Sequence, residues 1–200
     1  HENRVNKIDT PVSETKYIET KSNVQTGYMM FGWLGPRAAE LKDSICLDLI
    51  SIIFGDGSSS RLQQNLIEKL PEQIFNMIGS EHYQFKDGNN FFIQANFKPE
   101  YKEKALELVK QELENLLTNR ITEEELAKAK KRTKSRFAYA AETVSEIGET
   151  IGYYVTVCDD LKLIEDYLAD LDSITVVDLE NAIKKYLSLN NAVISVLMPE

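Results

Sequence analysis

An α+β fold, with a mixed and largely antiparallel sheet and helices packed on one face, is predicted by three features of the chain. Period-two apolar segments stand near both ends, at residues 25–34 and 192–198. A hairpin pattern lies between them, where segments 73–85 and 90–98 flank Lys86-Asp87-Gly88-Asn89, a run of turn-forming residues. Nearly everything else carries apolar residues three and four apart, the helical period. Strands at both ends of the sequence with helices between them imply a single sheet that brings the ends of the domain together.

The elements follow in order. Residues 25–34 are apolar on both alternating faces, Tyr28, Met30 and Leu34 against Met29, Phe31 and Trp33, which predicts an interior strand. After Pro36 a helix places Leu41, Ile45, Leu49 and Ile53 on one face. Gly55-Asp56-Gly57-Ser58-Ser59-Ser60 then ends it, because glycine admits positive φ and serine can cap the next helix, predicted over 59–69 and stopped by Pro71. In the second hairpin strand Phe91, Ile93, Ala95 and Phe97 form a core face opposite Phe92, Gln94, Asn96 and Lys98.

A long helix aligns Tyr101, Ala105, Leu108, Val109, Leu113 and Leu116. The next starts at a capping box, Thr122 with Glu125, and carries Leu126, Ala129, Thr133, Phe137 and Ala140 toward Val144, where Gly148 and Gly152 loosen the path. Two further helices bear Leu161, Ile164, Leu168 and Leu171, then Val176, Leu179, Ile183 and Leu187 after a Thr175 cap. Residues 1–15 are polar and unpatterned and read as a linker or an edge, leaving 16–200 as one domain.

Composition narrows the function classes. With 200 residues, 42% hydrophobic, the chain can bury one sizeable core. A net charge of −9 argues against a nucleic-acid binder, since phosphate contacts need a concentrated basic surface. No apolar run reaches the ~20 residues of a bilayer span and no signal segment opens the chain, so a soluble, membrane-free protein of open compartment, cytoplasmic or periplasmic, is expected. Cys46 and Cys158 sit among apolar residues and read as reduced core thiols.

Catalytic constellations are sparse. The two histidines, His1 and His82, stand far apart, and His82 reads as an ordinary strand histidine, so neither a catalytic nor a metal-ligating set is expected from this chain. No Gly-Lys-Ser/Thr follows the 55–60 loop and no G-x-S-x-G elbow is present, which leaves a nucleotide cradle and a serine hydrolase without support. Glu123, Glu124 and Glu125 suit a helix N-terminus, where the macrodipole favours carboxylates. The cations Lys128, Lys130, Lys131, Arg132, Lys134 and Arg136 are expected to form a solvated face making i to i+4 pairs.

The order of apolar helix, Gly55-x-Gly57, Ser60-Arg61-Leu62, helix and aromatic-bearing strand resembles the second, non-catalytic domain of zinc metallopeptidases of the pitrilysin, insulinase and mitochondrial processing peptidase family. Residues 121–130 are similar to the start of one family helix and 171–179 to the start of its last, so the resemblance spans about residues 16–199. It implies a processing-peptidase-like domain that, opposite a metal-bearing homologous domain in cis or on a partner subunit, encloses a chamber for extended peptide. Gly55, Gly57, Ser60 and Arg61 would form the structural loop motif. The resemblance implies no cofactor in this chain, zinc on the partner domain, and no activity for this chain alone, since H-x-x-E-H is missing.

In active members the second domain supplies an arginine and, seven residues on, a tyrosine that hold the substrate backbone. Counting from Ser60-Arg61-Leu62 puts those positions at Ile67 and Ile74, with Phe75 one beyond the second. Isoleucine offers no hydrogen bond to a peptide carbonyl. Either a partner supplies the pair, or the chain is a non-enzymatic scaffold or assembly protein that kept the fold.

Overall fold

The computed structural model describes residues 10–37, 39–85, 88–158 and 160–200, the side chain of Cys158 excepted. The cysteine expectation for residue 158, the turn at 86–87 and most of the expected linker therefore lie outside the described residues. Five strands form one sheet in the order β1-β5-β2-β4-β3. They are β1 (Lys16–Ser22), β2 (Gly27–Leu34), β3 (Phe75–Tyr83), β4 (Asn90–Phe97) and β5 (Val193–Pro199). All neighbours are antiparallel except β1 and β5, whose parallel pairing of Lys16 with Val193 through Ser22 with Pro199 joins the two ends of the domain.

One sheet face is buried and the other is open. Met29, Phe31 and Trp33 of β2, Phe91, Ile93, Ala95 and Phe97 of β4, and Ile194 and Val196 of β5 all point into the core. The expectation that residues 25–34 form an interior strand holds for position, since β2 lies between β5 and β4. Its second face is uncovered, however: Tyr28 and Met30 are 39% and 40% exposed. Apolar residues on both faces therefore signal a central strand without proving a layer on each side.

β1 escapes the sequence reading for a related reason. All seven of its residues are exposed, so its alternation contributes nothing to the core. It is an edge strand carrying Lys16, Glu19 and Lys21, the charged dressing that keeps an edge from pairing with other chains.

The helical layer is organised around α1 (Leu41–Gly55), buried from Ser44 to Gly55 with the single break of Asp48. Around it lie α2 (Arg61–Gln63), which runs into a π-helical turn at Gln64–Glu68, then α3 (Lys102–Thr118), α4 (Glu123–Tyr139), α5 (Val144–Tyr153), α6 (Lys162–Ser173) and α7 (Val176–Tyr186). Both predicted N-caps form: Thr122 and Thr175 accept from the backbone N–H of Glu125 and Asp178, whose carboxylates accept in return. The α4 stripe ends at Tyr139, and α5 starts afresh from a Thr143 cap.

The loop between α1 and α2 depends on its glycines. Gly57 has φ of +94°, and a Cβ there would lie 2.3 Å from an Arg132 nitrogen. Gly55 lets the end of α1 rest on β3, since a Cβ would fall 2.0 Å from the Ser80 amide nitrogen. Ser60 stands at the N-cap of α2 with extended backbone, but its hydroxyl makes no capping bond; its carbonyl accepts from the Gln64 N–H at 2.9 Å. Arg61 is bound bidentately to Glu125 at 2.7 and 2.9 Å and donates to the carbonyls of Asn119 and Arg120.

Candidate functional site

A groove of about 620 Å³ runs beside β3, lined by residues 77–83 of that strand, by α1 at Asp48, Ser51 and Gly55, by α4 at Thr133, Arg136 and Phe137, and by Tyr167 of α6. Two features of the sequence shape it. β3 is the last strand of the sheet, so among the described residues no strand pairs its outer edge. Gly55 and Gly79 let helix and strand meet backbone to backbone at the groove wall, where a Cβ on Gly79 would lie 3.1 Å from the Gly55 carbonyl oxygen.

Asp48 is the polar centre of the groove. Its Oδ1 lies 2.7 Å from Nδ1 of His82, and its Oδ2 accepts from the Tyr167 hydroxyl at 2.7 Å and from Gln84 Nε2 at 2.7 Å. Three donors on one carboxylate satisfy it where a lone buried charge would be costly. Burial, aided by the Asp48 charge, raises the Tyr167 hydroxyl well above its ordinary range, so it remains a donor at neutral pH. With Nδ1 facing a carboxylate, that nitrogen carries the proton. The His82 side chain has 0% exposure, and its Nε2 has no hydrogen-bond partner among the described residues.

Every hydroxyl lining the groove already donates a hydrogen bond within the chain. An aspartate-histidine pair needs a hydroxyl to act as a nucleophilic triad. The hydroxyls nearby are committed, with Ser51 donating to the Asp48 carbonyl at 2.8 Å and Ser80 to the Ser51 carbonyl at 3.0 Å. The described residues hold no group of three or more His, Cys, Asp or Glu side chains able to share a metal ion. His82 is thus a strand residue, as expected, but one tied into a network that the sequence reading did not foresee.

A second ionic centre stands at the rim. Asp56 accepts from Arg132 through its backbone carbonyl at 2.6 Å and its side chain at 2.7 Å, and its other carboxylate oxygen accepts from Arg136. Lys130 donates to the carbonyls of Asp172 and Ile174, and Lys134 pairs with Asp172. This corrects the expectation of a solvated face with local pairs: of the six cations only Lys128 makes an i to i+4 pair, with Glu124. Most of the others hold α4 against the α1–α2 loop and the end of α6.

The expected loop residues are drawn into this architecture, with Gly55 on the groove wall, Gly57 beneath Arg132 and Arg61 clamping α4. The counted positions Ile67 and Ile74 do not line the groove. Ile74 has 0% exposure, and Ile67 is half-buried against the same core. Asp48, Gln84 and Tyr167 were missed, although Asp48 carried a signal as the one charged residue in the otherwise uncharged run 44–55.

The domain is thus a five-stranded sheet with one helical layer, hinged by glycines at the α1–α2 loop. Residues 2–133 match the family described as the peptidase M16 inactive domain, and the chain belongs to that family. A zinc protease of Helicobacter pylori, PqqE, is 31% identical over 169 residues, covering 83% of this chain and 37% of the relative. A solved protease structure from Helicobacter pylori superposes with a TM-score of 0.83 at 25% identity, over 95% of this chain and 46% of that one. The peptidase M16 inactive domain structure from Pseudomonas fluorescens gives 0.80 at 22% identity, over 94% and 44%. The chain thus spans less than half the length of these relatives.

Proposed function

We propose that this domain is the non-catalytic half of a zinc metalloendopeptidase and helps to enclose a peptide-binding chamber opposite a metal-bearing homologous domain. The observation that carries the reading is the match of most of the domain to the inactive peptidase family, within relatives more than twice as long. Zinc and the general base belong to that other half, in cis or on a partner subunit. This half contributes shape: it walls off water and presents a groove beside an open sheet edge. Ile74 lies inside the core and Ile67 packs against it, which speaks against the counted correspondence of these two positions with the arginine and tyrosine of active members and leaves substrate contact to other surfaces.

An apolar groove of about 580 Å³ between α4, α5 and α6 supports the partner domain as its occupant. Ile147, Ile151 and Leu168 line it, and Val144 beside it is 88% exposed. Contiguous apolar surface of this kind marks interaction sites. The relatives contain a second half of sufficient size to cover it.

The test joins this chain to a metal-bearing half, by fusion or co-expression, and measures zinc-dependent cleavage of an unfolded peptide. Activity in the combination and in neither half alone is expected. Tight pairing without cleavage would overturn the peptidase reading and leave a scaffold.

A further inference from the structure

We propose that the apolar groove between α4, α5 and α6 receives a single amphipathic helix of the metal-bearing half, with acidic side chains along the flank that faces α4. The source of that helix rests on the chamber reading, while its shape and charge follow from the groove itself. Seven of the 15 exposed large apolar side chains among the described residues lie between 139 and 168, so the apolar surface is concentrated here. None of the residues of α5 is buried, although Ile147 and Ile151 form an apolar face that Val144 and Val155 extend at either end. A Cβ on Gly148 or Gly152 would meet nothing within 4 Å. A ten-residue helix carrying two glycines is marginal in water by itself, so α5 gains stability from a partner that covers this face.

The walls fix the form of the ligand. All three are helices, whose backbone N–H and C=O groups are already paired with one another, so the groove offers side chains and little else. An extended segment lying there would leave its own backbone unpaired, whereas a helix satisfies its backbone internally and needs only an apolar stripe. A second depression of about 500 Å³ continues the groove along α4 and shares Lys134 and Ala138 with it. Together they run from Ala127 to Ala141, about 20 Å at the helical rise of about 1.5 Å per residue, which is room for a helix of about four turns.

Charge selects the flank. Lys130, Lys131 and Lys134 line this trough against Asp172 alone. Lys134 pairs with Asp172, Lys130 donates to two backbone carbonyls, and Lys131 has no carboxylate partner among the described residues. Two ammonium groups thus stand without a carboxylate, on a chain whose net charge is −9. Glu146 and Glu149 of α5 lie outside the lining. Carboxylates on the side of a docked helix that faces α4 meet this local excess of positive charge, and lysines placed there are repelled.

The experiment titrates the 200-residue chain with two amphipathic helical peptides of about 15 residues and follows amide hydrogen exchange. Both peptides carry leucines three and four apart, and they differ in one flank, glutamate in the first and lysine in the second. The glutamate peptide is expected to slow exchange in residues 144–153 and to bind several-fold more tightly than the lysine peptide at low salt, a preference that shrinks as salt rises. Lys131→Glu, a change at an exposed position, is expected to abolish that preference and to leave the exchange pattern of the free chain in place. Protection confined to β1 or the open sheet face, equal affinity for the two peptides, or a preference that K131E leaves intact overturns the proposal. Joining the chain to the metal-bearing half separates the two readings. Cleavage with no new protection at 144–153 would sink the helix docking alone; protection there without cleavage would sink the chamber reading alone.

Discussion

Arg61 and Glu125, 64 positions apart, face each other through two parallel hydrogen bonds, Nε to Oε1 at 2.7 Å and Nη2 to Oε2 at 2.9 Å. The same carboxylate closes the Thr122 capping box, accepting the Thr122 N–H at 2.8 Å. One glutamate therefore fixes the start of α4 and, through Arg61, the start of α2. Burial pushes the Glu125 carboxyl up, but Arg61 and Thr122 outweigh it and hold the group below its ordinary range. The most conspicuous arginine of the loop motif is thus a clamp between helices.

Replacing Arg61 with Ala is expected to destabilise the domain by about 1.5–3 kcal/mol, the range for hydrogen bonds to charged groups, because both partners are largely buried. Arg61→Lys recovers only part of the loss, since an ammonium cannot form the paired fork. Urea denaturation of the three proteins measures both effects. Equal stability of wild type and R61A would show that the clamp is idle.

The two loop glycines are expected to fail in different ways. Gly57→Ala strains a left-handed backbone at a cost of about 1–2 kcal/mol and displaces Arg132 from Asp56. Gly55→Ala drives a methyl into the backbone of β3 at Ser80, and overpacking of this kind costs about 1–3 kcal/mol or more. Thermal unfolding ranks the pair, with G55A the less stable or unable to fold. A G55A domain as stable as wild type would contradict the close approach of α1 to β3.

Cys46 is 1% exposed, and burial pushes its thiol up to about 12. The thiolate is the reactive form, so Cys46 is expected to stay unmodified by iodoacetamide at pH 7.5 in the native state and to react in urea. Mass spectrometry of peptides spanning residue 46 reads the result. Rapid native alkylation would mean that α1 opens readily.

Acid stability has one assignable source in Asp178. Its hydrogen bond from Lys42 comes first; burial opposes it, the Thr175 hydroxyl and N–H add to it, and the carboxyl falls from 3.8 to about 2. The unfolded chain binds this proton at higher pH than the folded one, so the contribution is full above the unfolded value. It is lost as pH falls from about 4 through 2. Asp178→Asn is expected to lower stability at pH 6 and to flatten this part of the acid limb, as urea midpoints across that range would register.

Whatever depends on neighbours within a turn or a hairpin was legible from the chain: the alternating strand predicted over 90–98, the Thr122 capping box, the Thr175 cap, the glycine-hinged loop and, through that loop, the family. These features arise from side-chain period and backbone freedom, which are local. Tertiary structure alone decided which face of β2 is covered, that the cations of α4 reach Asp56 and Asp172 in place of their helical neighbours, and that the charged segment 16–22 is a strand. It also built the groove, since Asp48 finds His82 34 positions on and Tyr167 119 positions on. A hydrogen bond across that separation leaves no period in the sequence, and only packing α1 between β3 and α6 brings its ends within 2.7 Å.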